Sequence, residues 1–113
     1  MDLQAKSIST VSILSLSGRF DALTSSRVQT WIEEVVKTTP PHLVLNLGEV
    51  TFIDSTALAV LVAGMKRARQ DTGDLRLCNL QHPVRMIFEL TRLDKAFEIF
   101  SSEEEAVKAF ALA

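Results

Sequence analysis

The six residues HLVLNL, from His42 to Leu47, constrain the fold more than any other stretch of the chain. Leu43, Val44, Leu45 and Leu47 are apolar and do not alternate with polar neighbours. A short apolar run of this kind suits a strand covered on both faces, and such strands occur in mostly parallel sheets with helices packed on each side. Pro40-Pro41 before it and Gly48 after it break any helix through this region. The rest of the chain must then supply the covering helices. "LTSSRVQTWIEEVVK" carries Val28, Ile32, Val35 and Val36 at helical spacing, with Thr24 or Ser25 as its N-cap. A loop is expected after Gly48, and a second helix from Ser55 to about Gln70. There Leu58, Leu61, Val62 and Met65 follow i, i+3, i+4, i+7 and predict the buried stripe. Lys66, Arg67 and Arg69 fall in its last turns, where cations suit the dipole, and read as a solvated helix end. Gly73 is the expected stop.

The remaining segments fit the same plan. "VSILSL" from Val11 reads as a strand ended by Gly18, and a shorter strand precedes it near Leu3–Ser7, although no good turn signal separates the two. "LRLCNL" and "FEIF" are further strands. Pro83 opens a short helix carrying Val84, Ile87, Phe88 and Leu90. Ser102 with Glu105 forms a capping box for a last helix that buries Val107 and Phe110. Trp31, beside Ile32, reads as core. The expected class is therefore α/β: a mixed, mostly parallel sheet of four to five strands with about four helices, any antiparallel pairing lying at the N-terminal edge. There is no internal repeat, low-complexity segment or linker, and 113 residues suffice for one domain with one core.

Composition removes several functions. The chain is 47% hydrophobic and 23% charged with a net charge of -2, so it has no basic excess to hold phosphates, and nucleic acid is not an expected partner. The single cysteine, Cys78, sits in an apolar run and reads as a buried structural thiol, which fits a reducing cytoplasm. The N-terminus shows no apolar signal stretch, and "ALAVLVAGM" is too short to span a bilayer, so neither export nor membrane insertion is expected. His42 and His82 flank prolines without ligand-like company, and no metal or other cofactor is expected. Catalysis lacks support: Ser55 has no Gly-x-Ser-x-Gly frame, the four glycines form no phosphate loop, and no base is placed for a serine nucleophile.

The chemistry concentrates at Asp54-Ser55, where an apolar run hands over to a helix. Sites in open α/β sheets gather at such junctions. Two readings stay open. Either residue fits the helix N-cap, since Asp and Ser lead the capping ranks. The same helix start also offers free N–H groups and a positive dipole end that tolerate a phosphate on Ser55. That phosphate would add roughly -1.5 to -2 units of charge beside Asp54 and repel a docked partner without unfolding the domain. Thr56 is a second, less favoured hydroxyl. Asp21, after Gly18-Arg19-Phe20, is either a turn aspartate or part of a docking rim. Glu103-Glu104-Glu105 is charge at a helix start.

Three blocks carry a resemblance: Gly18-Arg19-Phe20-Asp21, "LVLNLGEVTFIDSTAL", and "LTRLDKAFEIF" followed by "SSEEEA". In this order and spacing the chain resembles, over nearly its whole length, a STAS domain of the bacterial anti-sigma factor antagonist family. The central block is the most specific. The resemblance implies a single STAS domain over residues 1–113. It implies a phosphorylatable serine at Ser55, and a partner surface that includes Asp21, Asp54, Ser55 and Thr56. The implied partners are an anti-sigma factor with serine kinase activity, bound only by the unphosphorylated antagonist, and a serine phosphatase. Release of the sigma factor would then regulate transcription. The same family resemblance allows an alternative, a constitutive interaction subunit of a transport or stress-signalling complex. Two positions depart from the family pattern. Ala57 stands where glycine is common, and Asn46 where many relatives carry aspartate. The expected docking surface combines the Gly18–Leu23 and Gly48–Ser55 loops with the start of the 55–70 helix.

Overall fold

The computed structural model describes residues 1–38 and 40–111. The elements in chain order are β1 (Asp2–Ile8), β2 (Val11–Phe20), α1 (Ser25–Val35), β3 (His42–Ile53), α2 (Ser55–Gln70), β4 (Asp74–Cys78), α3 (His82–Leu90), a 3-10 turn (Leu93–Lys95), β5 (Ile99–Phe100) and α4 (Glu103–Ala111). One five-stranded sheet has the spatial order β1-β2-β3-β4-β5. β1 is antiparallel to β2, and the other pairings are parallel.

β3 lies at the centre because its side chains are apolar in both directions. Leu43, Leu45 and Leu47 point into the larger core with Val28 and Ile32 of α1, Leu61 and Met65 of α2, and Val84 and Phe88 of α3. Val44 points the other way, into a smaller core with Val11, Ile13, Cys78, and Ala106 and Phe110 of α4. Three helices thus cover one face and one covers part of the other. Truncating a fully buried leucine such as Leu61 to alanine is worth about 2–5 kcal/mol in such a setting. Burial, and secondly the charge of Glu103, pushes the Cys78 thiol up to about 12, which makes it an inert core group.

The structure corrects several sequence expectations. β3 does not end at Gly48 but runs on to Ile53, so the expected Gly48–Ser55 loop is mostly strand. Glycine at 48 answers to crowding: a Cβ there would lie 3.1 Å from Asn46 Oδ1 and 3.2 Å from the Asn79 Cβ. β2 likewise continues past Gly18 to Phe20. Gly18 has φ +96° beside a register shift, so it marks a bulge rather than an end. The β1–β2 turn, Ser9-Thr10, contains neither Gly nor Asn, and Ser9 takes φ +55° itself. Leu90 is 79% exposed. It falls about 200° around the helix from Phe88 at 100° per residue, hence off the buried stripe. Val62 is only partly buried, while Ala57, Gly64 and Ala68 share the buried side of α2. The helix end around Arg69 is not simply solvated: its guanidinium donates to Asp74 Oδ1 at 2.8 Å and to the Ala96 carbonyl at 2.8 Å. The left-handed residue after α2 is Thr72 at φ +63°, not Gly73. Gly73 is required because a Cβ there would lie 1.9 Å from the Pro41 carbonyl oxygen. The 93–95 turn had no counterpart in the sequence reading, and the last strand is Ile99–Phe100 rather than Phe97–Phe100.

Candidate functional site

The carboxyl ends of β2 and β3 close side by side, because the Asp54 amide donates to the Phe20 carbonyl at 3.3 Å. Asp54 then uses both carboxylate oxygens. Oδ1 accepts from the Ala57 amide at 3.0 Å and is the N-cap of α2. Oδ2 accepts from the Ala22 amide at 2.9 Å, 32 residues away in sequence. One side chain therefore starts the helix and holds the 21–24 turn against it. The choice left open by the sequence falls to Asp54 because its backbone is extended and its carboxylate aims forward into the first turn.

Ser55 follows at the first helical position and is exposed, as is Thr56. Neither hydroxyl makes a hydrogen bond among the described residues. The cap being supplied by Asp54, the Ser55 oxygen is free. It stands at a helix start whose amides carry the positive end of the dipole.

The turn beside it is built by Asp21. Its Oδ1 accepts from the Leu23 amide at 3.1 Å and lies 3.2 Å from the Thr24 hydroxyl, while its own amide donates to Thr24 Oγ1 at 3.0 Å. The Ser25 amide donates to the Asp21 carbonyl at 2.8 Å and opens α1. Thr24 occupies the N-cap position, but its hydroxyl works backward into the turn and does not cap forward. Partial burial pushes the Asp21 carboxyl up. Hydrogen bonds from Thr24 and Leu23 and the nearby Arg19 more than offset this and hold it below its ordinary value. Asp21 is thus an ionised turn-former at the rim of the site.

Asp21, Asp54, Ser55 and Thr56 all lie at this one end of the sheet. Within the two segments expected to line the docking surface, three side chains stand out that sequence reasoning did not single out. Leu23 is 90% exposed, the most solvent-covered large apolar side chain described. Phe52 is exposed, and the Arg19 guanidinium stacks 3.9 Å from its ring centre. Arg19 and Phe52 are cross-strand neighbours, a relation hidden by the register shifts in β2. The departure at Asn46 also has a structural sense. Its amide donates to Glu103 Oε1 at 3.2 Å, and its oxygen accepts from the Gly48 amide at 2.9 Å. An aspartate there would set two carboxylates against each other. Glu103 is further paired with Lys6 at 2.8 Å, so it does more than decorate a helix start. Ser102 Oγ caps the Glu105 amide at 3.1 Å as expected, but the Glu105 carboxylate accepts from Ser101 rather than closing the box. Among the described residues no cluster of three His, Cys, Asp or Glu side chains is arranged to hold a metal, and no helix is long and apolar enough to cross a membrane.

The family model described as STAS domain matches residues 2–106. The anti-sigma F factor antagonist of Paenibacillus polymyxa is 31% identical over 98 residues, covering 86% of this chain and 84% of that protein. The crystal structure of an anti-sigma factor antagonist from Mycobacterium paratuberculosis is 30% identical, covers 96% of this chain and 92% of its own, and superposes with a TM-score of 0.85. The anti-sigma factor antagonist SpoIIAA in its unphosphorylated form has a TM-score of 0.85 over 99% of this chain and 98% of its own, at 18% identity, which shows the shared fold.

Proposed function

The chain belongs to the STAS domain family, and on that premise we propose that it is an anti-sigma factor antagonist switched by phosphorylation of Ser55. In this reading the unphosphorylated protein binds an anti-sigma factor with serine kinase activity, so that a sigma factor is freed and transcription proceeds. The kinase phosphorylates Ser55 and ends the complex, and a serine phosphatase restores it. The chain itself is the regulated ligand and not an enzyme, and it works in the cytoplasm. Its curated relatives bear the antagonist name, which supports the class of partner.

One observation carries the choice of Ser55. Asp54 already provides the cap, so the serine hydroxyl is exposed and unengaged at the helix start. A phosphate there meets helix amides and leaves the core untouched, since the nearest buried groups, Ala57 and Leu58, face inward. Its charge lies beside Asp54 and near Asp21, on a surface that also shows Leu23 and Phe52. A docked partner would face that dianion, and like or desolvated charge at an interface costs several kcal/mol.

The test is binding of the anti-sigma factor measured by calorimetry with and without ATP. Ser55→Ala is expected to bind as the parent does and to stay bound when ATP is added. Ser55→Asp is expected to weaken binding by about tenfold or more, equivalent to about 1.4 kcal/mol. Unchanged affinity for both variants in both conditions would sink the switch and favour a constitutive interaction subunit, with Ser55 only a helix residue.

A further inference from the structure

The two edges of the sheet differ sharply. β5 has two residues, whereas β1 presents seven, and it is paired only on its inner side. Long edges invite pairing with another strand, and proteins usually blunt them with proline, a bulge, a covering element or a charged side chain. β1 has none of the first three: its register with β2 runs unbroken from Asp2 to Ile8, it contains no proline, and its residues are almost all exposed. Its one lysine, Lys6, meets Glu103 at 2.8 Å on one side and stays 54% exposed, so its ammonium has donors left for a second carboxylate. The strand is also held firmly. Leu3 packs on the larger core, and Arg27 Nη1 donates to the Met1 carbonyl at 2.7 Å.

Backbone alternation then limits how a partner strand can add. The two-residue turn Ser9-Thr10 makes Ile8 and Val11 a hydrogen-bonded pair. By alternation Asp2, Gln4, Lys6 and Ile8 direct their amides and carbonyls toward β2, and Leu3, Ala5 and Ser7 direct theirs outward. A second β1 in antiparallel array must therefore match outward residues with outward residues. Three central registers do this, about Gln4, Ala5 and Lys6, and the last sets the two Lys6 side chains against each other. The register about Gln4 places Asp2 opposite Lys6 of the second copy, and Lys6 opposite Asp2. Both sit at non-hydrogen-bonded sites, where side chains approach most closely. It also sets Leu3 against Ala5 of the other copy, twice, on the opposite face. The register about Ala5 leaves Asp2 opposite Ile8.

We propose that β1 is a self-association edge: two copies of this chain pair their β1 strands antiparallel about Gln4, with Asp2 and Lys6 as reciprocal ion pairs, to form one continuous ten-stranded sheet. The contact is small beside the about 1,600 Å² of a standard stable interface, so association is weak and concentration-dependent. It uses none of residues 54–56 and leaves the Ser55 surface open.

Sedimentation equilibrium of the intact chain, from about 1 μM to about 1 mM, tests this. The mass is expected to rise from 12.5 kDa toward twice that value. Asp2→Lys alone and Lys6→Glu alone should each weaken association about tenfold or more, because like charges then face each other twice. An equimolar mixture of the two variants should recover it, since every facing pair is again opposite in sign. Ala5→Pro should abolish association while keeping the parent's circular dichroism, because the amide it removes points outward. A mass of one copy at every concentration overturns the proposal. So does a dimer that all three substitutions leave intact, or one that the mixture fails to recover.

Discussion

Asp54 joins two segments with two oxygens, and Ser55 beside it joins nothing. The pair therefore makes a sharp prediction. Asp54→Ala removes the cap of α2 and the anchor of the 21–24 turn together. It should cost about 1–3 kcal/mol in urea unfolding, the sum of a lost N-cap and an orphaned amide. Ser55→Ala should change stability by less than about 0.5 kcal/mol. Equal losses at the two positions would contradict the assignment of the cap. The sequence placed the chemistry at this dipeptide but could not divide the roles, because Asp and Ser are near-equal caps. The division is made by Ala22 and Phe20, which reach Asp54 across more than thirty residues. Leu23 lay within the expected docking segment, but its own exposure was not legible, for a related reason. An apolar residue in a turn looks like a helix start until the turn's own hydrogen bonds, from Asp21 and Thr24, show it turned outward.

At the scale of elements, the periodic signals were legible and the ends were not. α2 and its stripe follow from i, i+3, i+4 spacing, and β3 from its unbroken apolar run. Gly18 and Gly48 looked like terminators because glycine usually ends strands. In the structure they are a bulge and a close approach inside longer strands, conditions set by neighbours such as Asn79. Gly73 is the extreme case. Gly73→Ala would drive a Cβ into the Pro41 carbonyl, whose oxygen also accepts from the Asp74 amide at 3.0 Å. Thermal unfolding should show a loss of about 1–3 kcal/mol, as for an overpacked core. The docking of α4 has a pH signature. Phe110 is stacked on His42, with ring centres 4.5 Å apart, and the Arg76 guanidinium lies 3.8 Å from the Phe110 ring. Burial, and then the charge of Arg76, push the His42 imidazole below its ordinary 6.5. The unfolded chain thus takes a proton that the folded chain resists. The His42 contribution to stability is complete above pH 6.5 and declines as the pH falls below it, levelling off once the folded value is passed. The melting temperature should drop between about pH 7.5 and pH 5.5 in the parent, and less so in His42→Phe. Identical slopes would remove His42 from the account. Asp21 and Glu103 are held below 3.8 and 4.5, so their contributions are lost only at still lower pH.

At the scale of the whole molecule, a five-stranded sheet carries its helices unequally. Three fill one face, α4 covers part of the other, and the exposed end where β2 and β3 finish is left to Asp21, Asp54 and Ser55. The α/β class, the mostly parallel sheet and the antiparallel N-terminal edge were all visible in the alternation of apolar runs with helical spacing. The layer assignment was not, because sequence periodicity says which residues are buried but not against which helix. The central claim is that Ser55 is a modified switch on this end of the sheet, and phosphosite mapping tests it most directly. The protein would be purified from its own host during growth and under stress, and the peptide spanning residues 50–66 analysed by mass spectrometry. Phosphate is expected on Ser55, not on Thr56, with an occupancy that changes between conditions. A fully covered peptide with Ser55 unmodified in every condition would contradict it.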